Sequence, residues 1–166
     1  MKRLSFAVMI ALAVVGCATS AKTSYVAGTK VPYSSSNKAV LDRCEEYRLA
    51  VERGDADALM LMAHPQYWED SGTPSGSDDY GYDGLRNVLL TRLLKATDIR
   101  YSMRYVAVHQ QCKALQPGCR AAVDVLVDAS FTIANPIGRP ARPDKRDQNQ
   151  LVLEWDGRRW MFLSGM

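Results

Sequence analysis

The stretch AAVDVLVDASFTI, residues 121–133, carries the pattern that decides the fold. Its odd-numbered positions are all apolar, whereas its even-numbered positions, apart from Leu126, are polar or small. Successive side chains of a strand point to opposite faces of a sheet, so this alternation predicts a long strand with one buried face. Asp124 and Asp128 lie four residues apart and therefore share the opposite face.

Further strands are predicted on both sides of this stretch. Residues 99–107 alternate in the same way, and residues 151–155 lead into Asp156-Gly157, a pair typical of two-residue hairpin turns. Residues 158–163 return as the last strand. Between the second and third strands, residues 136–147 form a basic loop. The interleaved Asp144 and Asp147 favour a solvated loop, and contact of its cations with anionic lipid or lipopolysaccharide is the alternative. The cations of this loop are Arg139, Arg142, Lys145 and Arg146.

Two helices are predicted at the start of the folded part. The first has Ser36 or Asn37 as its cap, apolar side chains at three- and four-residue spacing, and Gly54 as its end. Asp55 is predicted to cap a short second helix that is buried on nearly every side and ends at Pro65. The apolar positions of the first helix are Val40, Leu41, Cys44, Tyr47 and Val51.

A third helix is predicted over residues 84–97, with Asp83 as its cap. Three helices followed by four antiparallel strands define an α+β fold. This order, together with the closing segment LVLEWDGRRWMFLSGM of residues 151–166, resembles the nuclear transport factor 2-like (SnoaL-like) superfamily. The resemblance covers about residues 38–166 and implies helices packed across a curved sheet that encloses a cone-shaped pocket. It implies no particular catalytic residue.

The composition indicates one globular domain and excludes several classes of protein. Of the 166 residues, 47% are hydrophobic and 23% are charged, which is ordinary for a folded chain. The net charge of +3 includes Lys2 and Arg3, and without them it would be +1, so nucleic-acid binding is not expected. Two His and four Cys are too few for a zinc-finger site, and no cofactor or metal is predicted.

The first residues have the organisation of a secretion signal. Lys2 and Arg3 precede the apolar run of residues 4–15, which is too short to span a bilayer stably. The run ends in VVGC at residues 14–17, which resembles a bacterial lipobox and implies lipid attachment at Cys17. By the same resemblance, Ala18 favours the outer membrane, with the protein facing the periplasm. A plain secretory signal and an uncleaved signal anchor are the alternatives.

This interpretation divides the chain into three parts. Residues 1–16 form a lipoprotein signal peptide, residues 17–36 form the lipidated Cys17 with a flexible tether, and residues 37–166 form the α+β cone-like domain. The tether is predicted from its Ser, Thr, Ala and Gly content and its lack of a sustained period. The membrane, reached through the lipid anchor, is thus the first expected partner.

The remaining cysteines are expected to be structural. Cys112 and Cys119 flank the turn of one predicted hairpin, where facing residues lie close enough for a disulfide. An oxidising compartment favours that bond. Cys44 lies on the apolar face of the first helix and is predicted to be a small buried side chain rather than a nucleophile.

Three residues are the candidates for catalysis, although none is a confident one. His64 could act as a general base if the loop behind it covers the pocket, but it also stands at a helix end. Asp124 and Asp128 could form an acid/base pair on a concave face, but the alternation places them opposite the apolar series and favours a solvated pair. Arg100 or Arg104 is the expected partner of that pair. The acidic loop of residues 69–83 could hold calcium, with a solvated loop as the simpler reading.

Three functions are compatible with these features. The sequence favours a non-catalytic envelope module that binds a small apolar ligand or a protein partner. A pocket enzyme of the dehydratase or isomerase type and a scaffold of an envelope assembly are the alternatives. A carboxylate or His that faces an apolar cavity would favour the enzyme, whereas a large exposed apolar patch on the sheet would favour the scaffold.

Overall fold

The computed structural model describes residues 23–70, 72, 74–133 and 144–166. The predicted lipidation site, Cys17, and the first two cations of the basic loop, Arg139 and Arg142, lie outside these residues. Within the described ranges, no helix is both long enough and apolar enough to cross a membrane.

Helices α1 (Ser35–Glu52) and α2 (Ala56–Met62) are close to the predicted ones. The cap of α1 is Ser34, whose hydroxyl accepts a hydrogen bond from the Asn37 amide at 2.9 Å. The prediction of Ser36 or Asn37 was wrong because both side chains bond Gln110 of the sheet instead.

Asp55 caps α2 as predicted, since its carboxylate accepts from the Ala58 amide at 3.0 Å. The expectation that α2 is buried on nearly every side was wrong, because Leu61 is 66% exposed.

The segment before α1 differs from the predicted flexible tether. The Val26 amide donates to the Val31 carbonyl at 2.9 Å, and Tyr25 pairs with Pro32 in an isolated bridge. The Val31 side chain is fully buried against the core. Ordered structure therefore starts ahead of the predicted boundary at residue 36, and the burial of Val31 together with the hydrogen bonds of this turn stabilises it.

Helix α3 (Tyr82–Thr91) is shorter than predicted and begins earlier. Its cap is Gly81 and makes no side-chain hydrogen bond, so the prediction of Asp83 as the cap was wrong; Asp83 lies in the first turn, where its charge suits the helix end. A 3₁₀ turn, Leu93–Lys95, follows and leads directly into the sheet. A two-residue hairpin of β1 (Trp68–Glu69) and β2 (Tyr80–Gly81) precedes α3.

The remaining strands confirm the α+β prediction. They are β3 (Ala96–Gln110), β4 (Arg120–Ile133), β5 (Asp144–Trp155) and β6 (Trp160–Ser164), and they form an antiparallel sheet in the order β3-β4-β5-β6. The helices lie on one face of this sheet, which is the arrangement of a cone.

Two details of the sheet differ from the predicted pattern. A bulge between Tyr105 and Ala107 moves the inner face of β3 from odd to even positions, so Val108 rather than Ala107 packs against the core. Strand β5 begins at Asp144, where the sequence predicted a loop as far as residue 147. The β5 residues before Leu151 are all polar, so their strand has no apolar period by which it could be recognised.

The last hairpin has a four-residue turn, so the predicted two-residue turn at Asp156-Gly157 was wrong. Trp155 pairs with Trp160 across it. The Asp156 carboxylate accepts from the amides of Arg158 and Arg159 at 2.7 and 2.8 Å, and this local bonding stabilises the longer turn. The two tryptophan rings pack edge to face at 5.7 Å.

The core fills the space between the helices and the inner face of the sheet. Phe162 of β6 is fully buried and packs against Tyr47 of α1 at 5.2 Å between ring centroids. Four of the predicted odd positions of β4 are buried, among them Val123 and Val125 at 0% and 2% exposure, whereas Ile133 at the end of the strand is 42% exposed. Cys44 is buried as expected, and this burial raises the pKa of its thiol.

A disulfide joins Cys112 and Cys119, as predicted, with 5.8 Å between their Cα atoms. It closes the loop between β3 and β4. The backbone at Gly165 passes very close to the backbone of β5: a side chain there would meet the Gln150 carbonyl, and its φ of +87° also favours glycine.

Candidate functional site

A cavity of about 380 Å³ lies between the three helices and the inner face of the sheet, at its wide end. Its volume falls in the range of small-molecule sites, about 300–1,000 Å³. Most of its wall is apolar. The apolar side chains that line it are Val51, Leu59, Val88, Leu89, Leu93, Ala96, Ile99, Val127, Ala129, Phe131 and Met166.

Two tyrosine hydroxyls form a polar spot on this wall. Tyr47 of α1 and Tyr101 of β3 both line the cavity, and their hydroxyl oxygens are 3.4 Å apart. Burial raises the pKa of both phenols, most strongly that of Tyr47. Both groups therefore stay protonated at neutral pH, and because one hydroxyl can donate to the other, one hydrogen remains for a ligand.

Strand β5 supplies the polar side of the cavity. Lys145, Asp147 and Asn149 all line it, as expected for alternate residues of one strand. The side-chain amide of Asn149 donates a hydrogen bond to the Gly165 carbonyl at 2.8 Å, so this side chain is held in place. Lys145 and Asp147 are exposed, which puts them at the mouth rather than in the interior.

Ion pairs of α1 hold the strand that carries Tyr101. The Tyr101 amide donates to Glu52 at 3.2 Å, and Arg48 donates both to Glu52 at 2.7 Å and to the Tyr101 carbonyl at 3.1 Å. The hydrogen bond from the Tyr101 amide, followed by that from Arg48, holds the pKa of Glu52 below its ordinary value. The position of the Tyr101 hydroxyl thus depends on a charged contact outside the cavity.

The terminal residues close the cavity beside β1. Tyr67 donates from its hydroxyl to Glu69 at 3.0 Å and accepts from the Met166 amide at 3.1 Å, while the Gly165 amide donates to Glu69 at 2.8 Å. Burial, with the nearby Glu69 charge, raises the pKa of Tyr67. Gly165 and Met166 both line the cavity, so this network fixes part of its wall.

His64 does not line the cavity. Its Nδ1 accepts a hydrogen bond from the Gln66 amide at 3.1 Å, and its Nε2 lies 3.8 Å from Glu154. The prediction that it follows α2 was correct, but its ring bonds the next turn rather than the last helix carbonyls. Nothing in this placement supports the hypothesis of a general base at His64.

Asp124 and Asp128 lie on the outer face of the sheet, as the solvated alternative predicted. Asp124 bonds Gln150 at 2.8 Å and His109 at 2.9 Å, and these hydrogen bonds, Gln150 first, hold its pKa below the ordinary value. Asp128 pairs with Arg146 at 3.0 Å. The prediction of Arg100 or Arg104 as partners was wrong. The actual partners are His109 at the end of β3 and Gln150 and Arg146 of β5.

A larger depression of about 970 Å³ lies on this outer face, and its walls are polar and apolar in about equal measure. Ser102, Asp128 and Arg146 form one row across it, and Arg104, Leu126 and Gln148 form the next. Two of its charges, Asp128 and Arg146, already pair with each other, and the smaller cavity is mostly apolar, so we place the candidate ligand site in the smaller cavity. Within the described ranges, no group of three His, Cys, Asp or Glu side chains could hold a metal ion.

The sequence missed the polar wall of this site. Tyr101 belongs to the alternating strand predicted over residues 99–107, whereas Lys145 was assigned to a solvated loop and no role was predicted for Asn149. One signal was available: a strand as long as β4 needs a partner of similar length, and the five-residue segment of residues 151–155 is too short to be that partner.

Comparisons with known proteins identify the fold. Neither protein-family models nor curated proteins give a match. Among solved structures, a conserved protein from Planctomyces limnophilus superposes with a TM-score of 0.61 at 12% identity, over 78% of this chain and 91% of that one. A proposed dehydratase of the NTF2-like family from Streptomyces avermitilis gives 0.55 at 14% identity, over 77% and 92%.

A ketosteroid isomerase-like protein from Erwinia carotovora gives a TM-score of 0.56 at 16% identity, over 80% of this chain and 94% of that one. At such low identity these likenesses establish the fold alone. The protein has the cone fold of nuclear transport factor 2-like proteins, as the resemblance in its sequence implied.

We expect Glu52→Gln to lower the free energy of unfolding at pH 7 by less than about 1 kcal/mol, because the Glu52 side chain is 34% exposed. The pKa of Glu52 is lowered by folding, so its contribution is full above the unfolded value of about 4.3 and is lost as the pH falls through the folded value. Urea unfolding of both proteins between pH 7 and pH 3 measures this difference. Glu46→Gln, in the more exposed pair with Arg43, is the control; an equal loss there would contradict the assignment.

Proposed function

We propose that the protein is an envelope-anchored lipoprotein whose cone domain binds a small, mostly apolar ligand without catalysing a reaction. The observation that carries the binding role is the cavity of about 380 Å³ with an apolar wall and one tyrosine hydroxyl pair. Such sites bind by burying apolar surface and orient the ligand through a few polar groups. No nucleic acid is proposed as a partner.

The proposed location rests on the sequence of residues 1–18. The positive start, the short apolar run and the VVGC segment at residues 14–17 support lipid attachment at Cys17. Two or three acyl chains, at about 0.8 kcal/mol for each buried methylene, would hold the protein stably at a membrane. Ala18 supports the outer membrane, where the cone would face the periplasm.

Filling the cavity should abolish ligand binding. Val88 lines the cavity from α3 and is partly exposed, so Val88→Trp can occupy the space without disrupting the core. We expect the affinity for the neutral apolar dye Nile red to fall by at least about tenfold, measured by fluorescence titration. The neighbouring Asn87→Trp is the control, because Asn87 is exposed and does not line the cavity. Equal affinities of the two variants would contradict the proposed site.

Cys17→Ser should remove the membrane anchor. Cells that express the wild-type chain and are fed radioactive palmitate should label the protein and retain it in the membrane fraction. The variant should be unlabelled and should leave that fraction, because no acyl chain remains to be buried. Cys44→Ala controls for the loss of a thiol elsewhere. Persistent labelling of Cys17→Ser would rule out this anchor.

A pocket enzyme of the dehydratase or isomerase type is the second candidate. One observation favours it: the Asp147 carboxylate and the Tyr101 hydroxyl line the same cavity, which offers a base and a hydrogen-bond donor to one ligand. The exposure of Asp147 at the mouth speaks against it, because water competes there with a substrate for the carboxylate. A scaffold role has less support, because the outer face of the sheet carries polar rows.

Asp147→Asn distinguishes the two candidates. If the protein only binds its ligand, wild type and variant should both leave small carbonyl and hydroxy compounds unchanged. Chromatography and mass spectrometry measure the turnover. Turnover by the wild type that falls at least about a hundredfold in Asp147→Asn, with Asp128→Asn unaffected, would establish the enzyme instead. Asp128 is the matched control because it lies on the outer face.

A further inference from the structure

Two cations stand at the mouth of the apolar cavity. Arg92 follows the last turn of α3, and Lys145 lies near the start of β5; both line the cavity and both are exposed. Within the part of the chain that the structure describes, neither side chain forms an ion pair. Lys145 and Arg92 come from different elements, so the fold itself brings them to one opening.

The neighbouring residues show that this placement depends on the face of the strand. Arg146, next to Lys145, points to the outer side and pairs with Asp128 at 3.0 Å. Lys145 points to the cavity side, opposite Ala129 of β4. The two adjacent cations therefore differ in their surroundings: Arg146 has a carboxylate partner, whereas Lys145 faces an apolar cavity.

One other charged side chain lines the cavity. The Asp147 carboxylate accepts a hydrogen bond from the Gln148 amide at 2.8 Å and makes no ion pair with Lys145 or Arg92. The mouth therefore keeps an excess of positive charge among its side chains. A cation beside a low-dielectric wall attracts an anion more strongly than one surrounded by water, because the wall reduces screening.

We propose that the cavity takes an amphiphile that has an apolar body and one anionic head group, a carboxylate or a phosphate. The body would lie against the apolar wall, and the head group would remain at the mouth between Arg92 and Lys145. The proposal rests on the proposed binding function and deepens it by naming the class of ligand. A free fatty acid and an anionic phospholipid share this chemistry.

The test compares ligands that differ only in the head group. The full chain is made by cell-free synthesis, so that no acyl chain is attached, and dodecanoate or 1-dodecanol displaces bound Nile red at low ionic strength. We expect dodecanoate to bind about tenfold more tightly than 1-dodecanol, as two partly exposed charge contacts allow. In 0.5 M NaCl the preference should shrink, because salt screens exposed charges.

The double variant Arg92→Gln/Lys145→Gln should bind both compounds with nearly equal affinity. The matched control is Lys95→Gln/Arg146→Gln, which removes one cation from the 3₁₀ turn and one from β5 without touching the cavity lining. It should keep the full preference for dodecanoate. Because all four side chains are exposed, the variants should fold like the wild type.

Two further arms identify the source of the anion. In the first arm, lysophosphatidylglycerol replaces dodecanoate. In the second arm, lysophosphatidylcholine, which carries no net charge, serves as the control for lysophosphatidylglycerol. Stronger binding of the fatty acid would indicate a free acid as the ligand, whereas stronger binding of the lysophosphatidylglycerol would indicate a membrane lipid. Either preference, if lost in Arg92→Gln/Lys145→Gln, supports the proposal.

Equal affinity of the wild type for dodecanoate and 1-dodecanol would overturn the head-group proposal and leave the apolar site intact. A preference that survives in Arg92→Gln/Lys145→Gln would overturn it as well. If instead Nile red binds Val88→Trp and wild type equally, the cavity is not the binding site and the proposed function itself fails. The two failures are therefore distinguishable.

Discussion

The registration of β4 within the sheet is the constraint on which the rest of the structure depends. Its inner face carries Val123 and Val125, which are buried under the helices, and its outer face carries Asp124 and Asp128. A slip by one residue would move both carboxylates into the apolar interior, at a cost of several kcal/mol for each unpaired charge. The face that β4 turns to the helices is therefore fixed, and it fixes which face each paired residue of β3 and β5 occupies.

This register also explains why the cavity lies where it does. Ala129 of β4 stands between Tyr101 of β3 and Lys145 of β5. Its small side chain leaves space at the wide end of the cone, whereas Phe162 and Leu153 fill the narrow end and are fully buried. Strand β5 changes along its inner face from the buried Leu151 and Leu153 to the polar Asn149, Asp147 and Lys145, and the cavity lies beside the polar part.

The chemistry of the site follows from that gradient. Apolar side chains provide the surface that a ligand can bury, and the buried hydroxyls of Tyr47 and Tyr101 provide a point of orientation within it. The contact of Glu52 with the Tyr101 amide links this point to the ion pairs of α1. The carboxylates that the sequence singled out, Asp124 and Asp128, belong to the opposite face and bind their own neighbours.

The sequence by itself determined the secondary structure of β4, the order of helices and strands, the Asp55 cap and the pairing of Cys112 with Cys119. Each of these depends on residues close together in the chain, or on a pattern that repeats along it. Only the tertiary structure decided the burial of Val31, the polar first half of β5 and the meeting of Arg92 with Lys145 at one opening. Those features depend on elements that are distant in the chain. Polar residues such as Lys145 and Asn149 form a strand because their backbone pairs with the free edge of β4, and the local sequence pattern does not indicate this pairing.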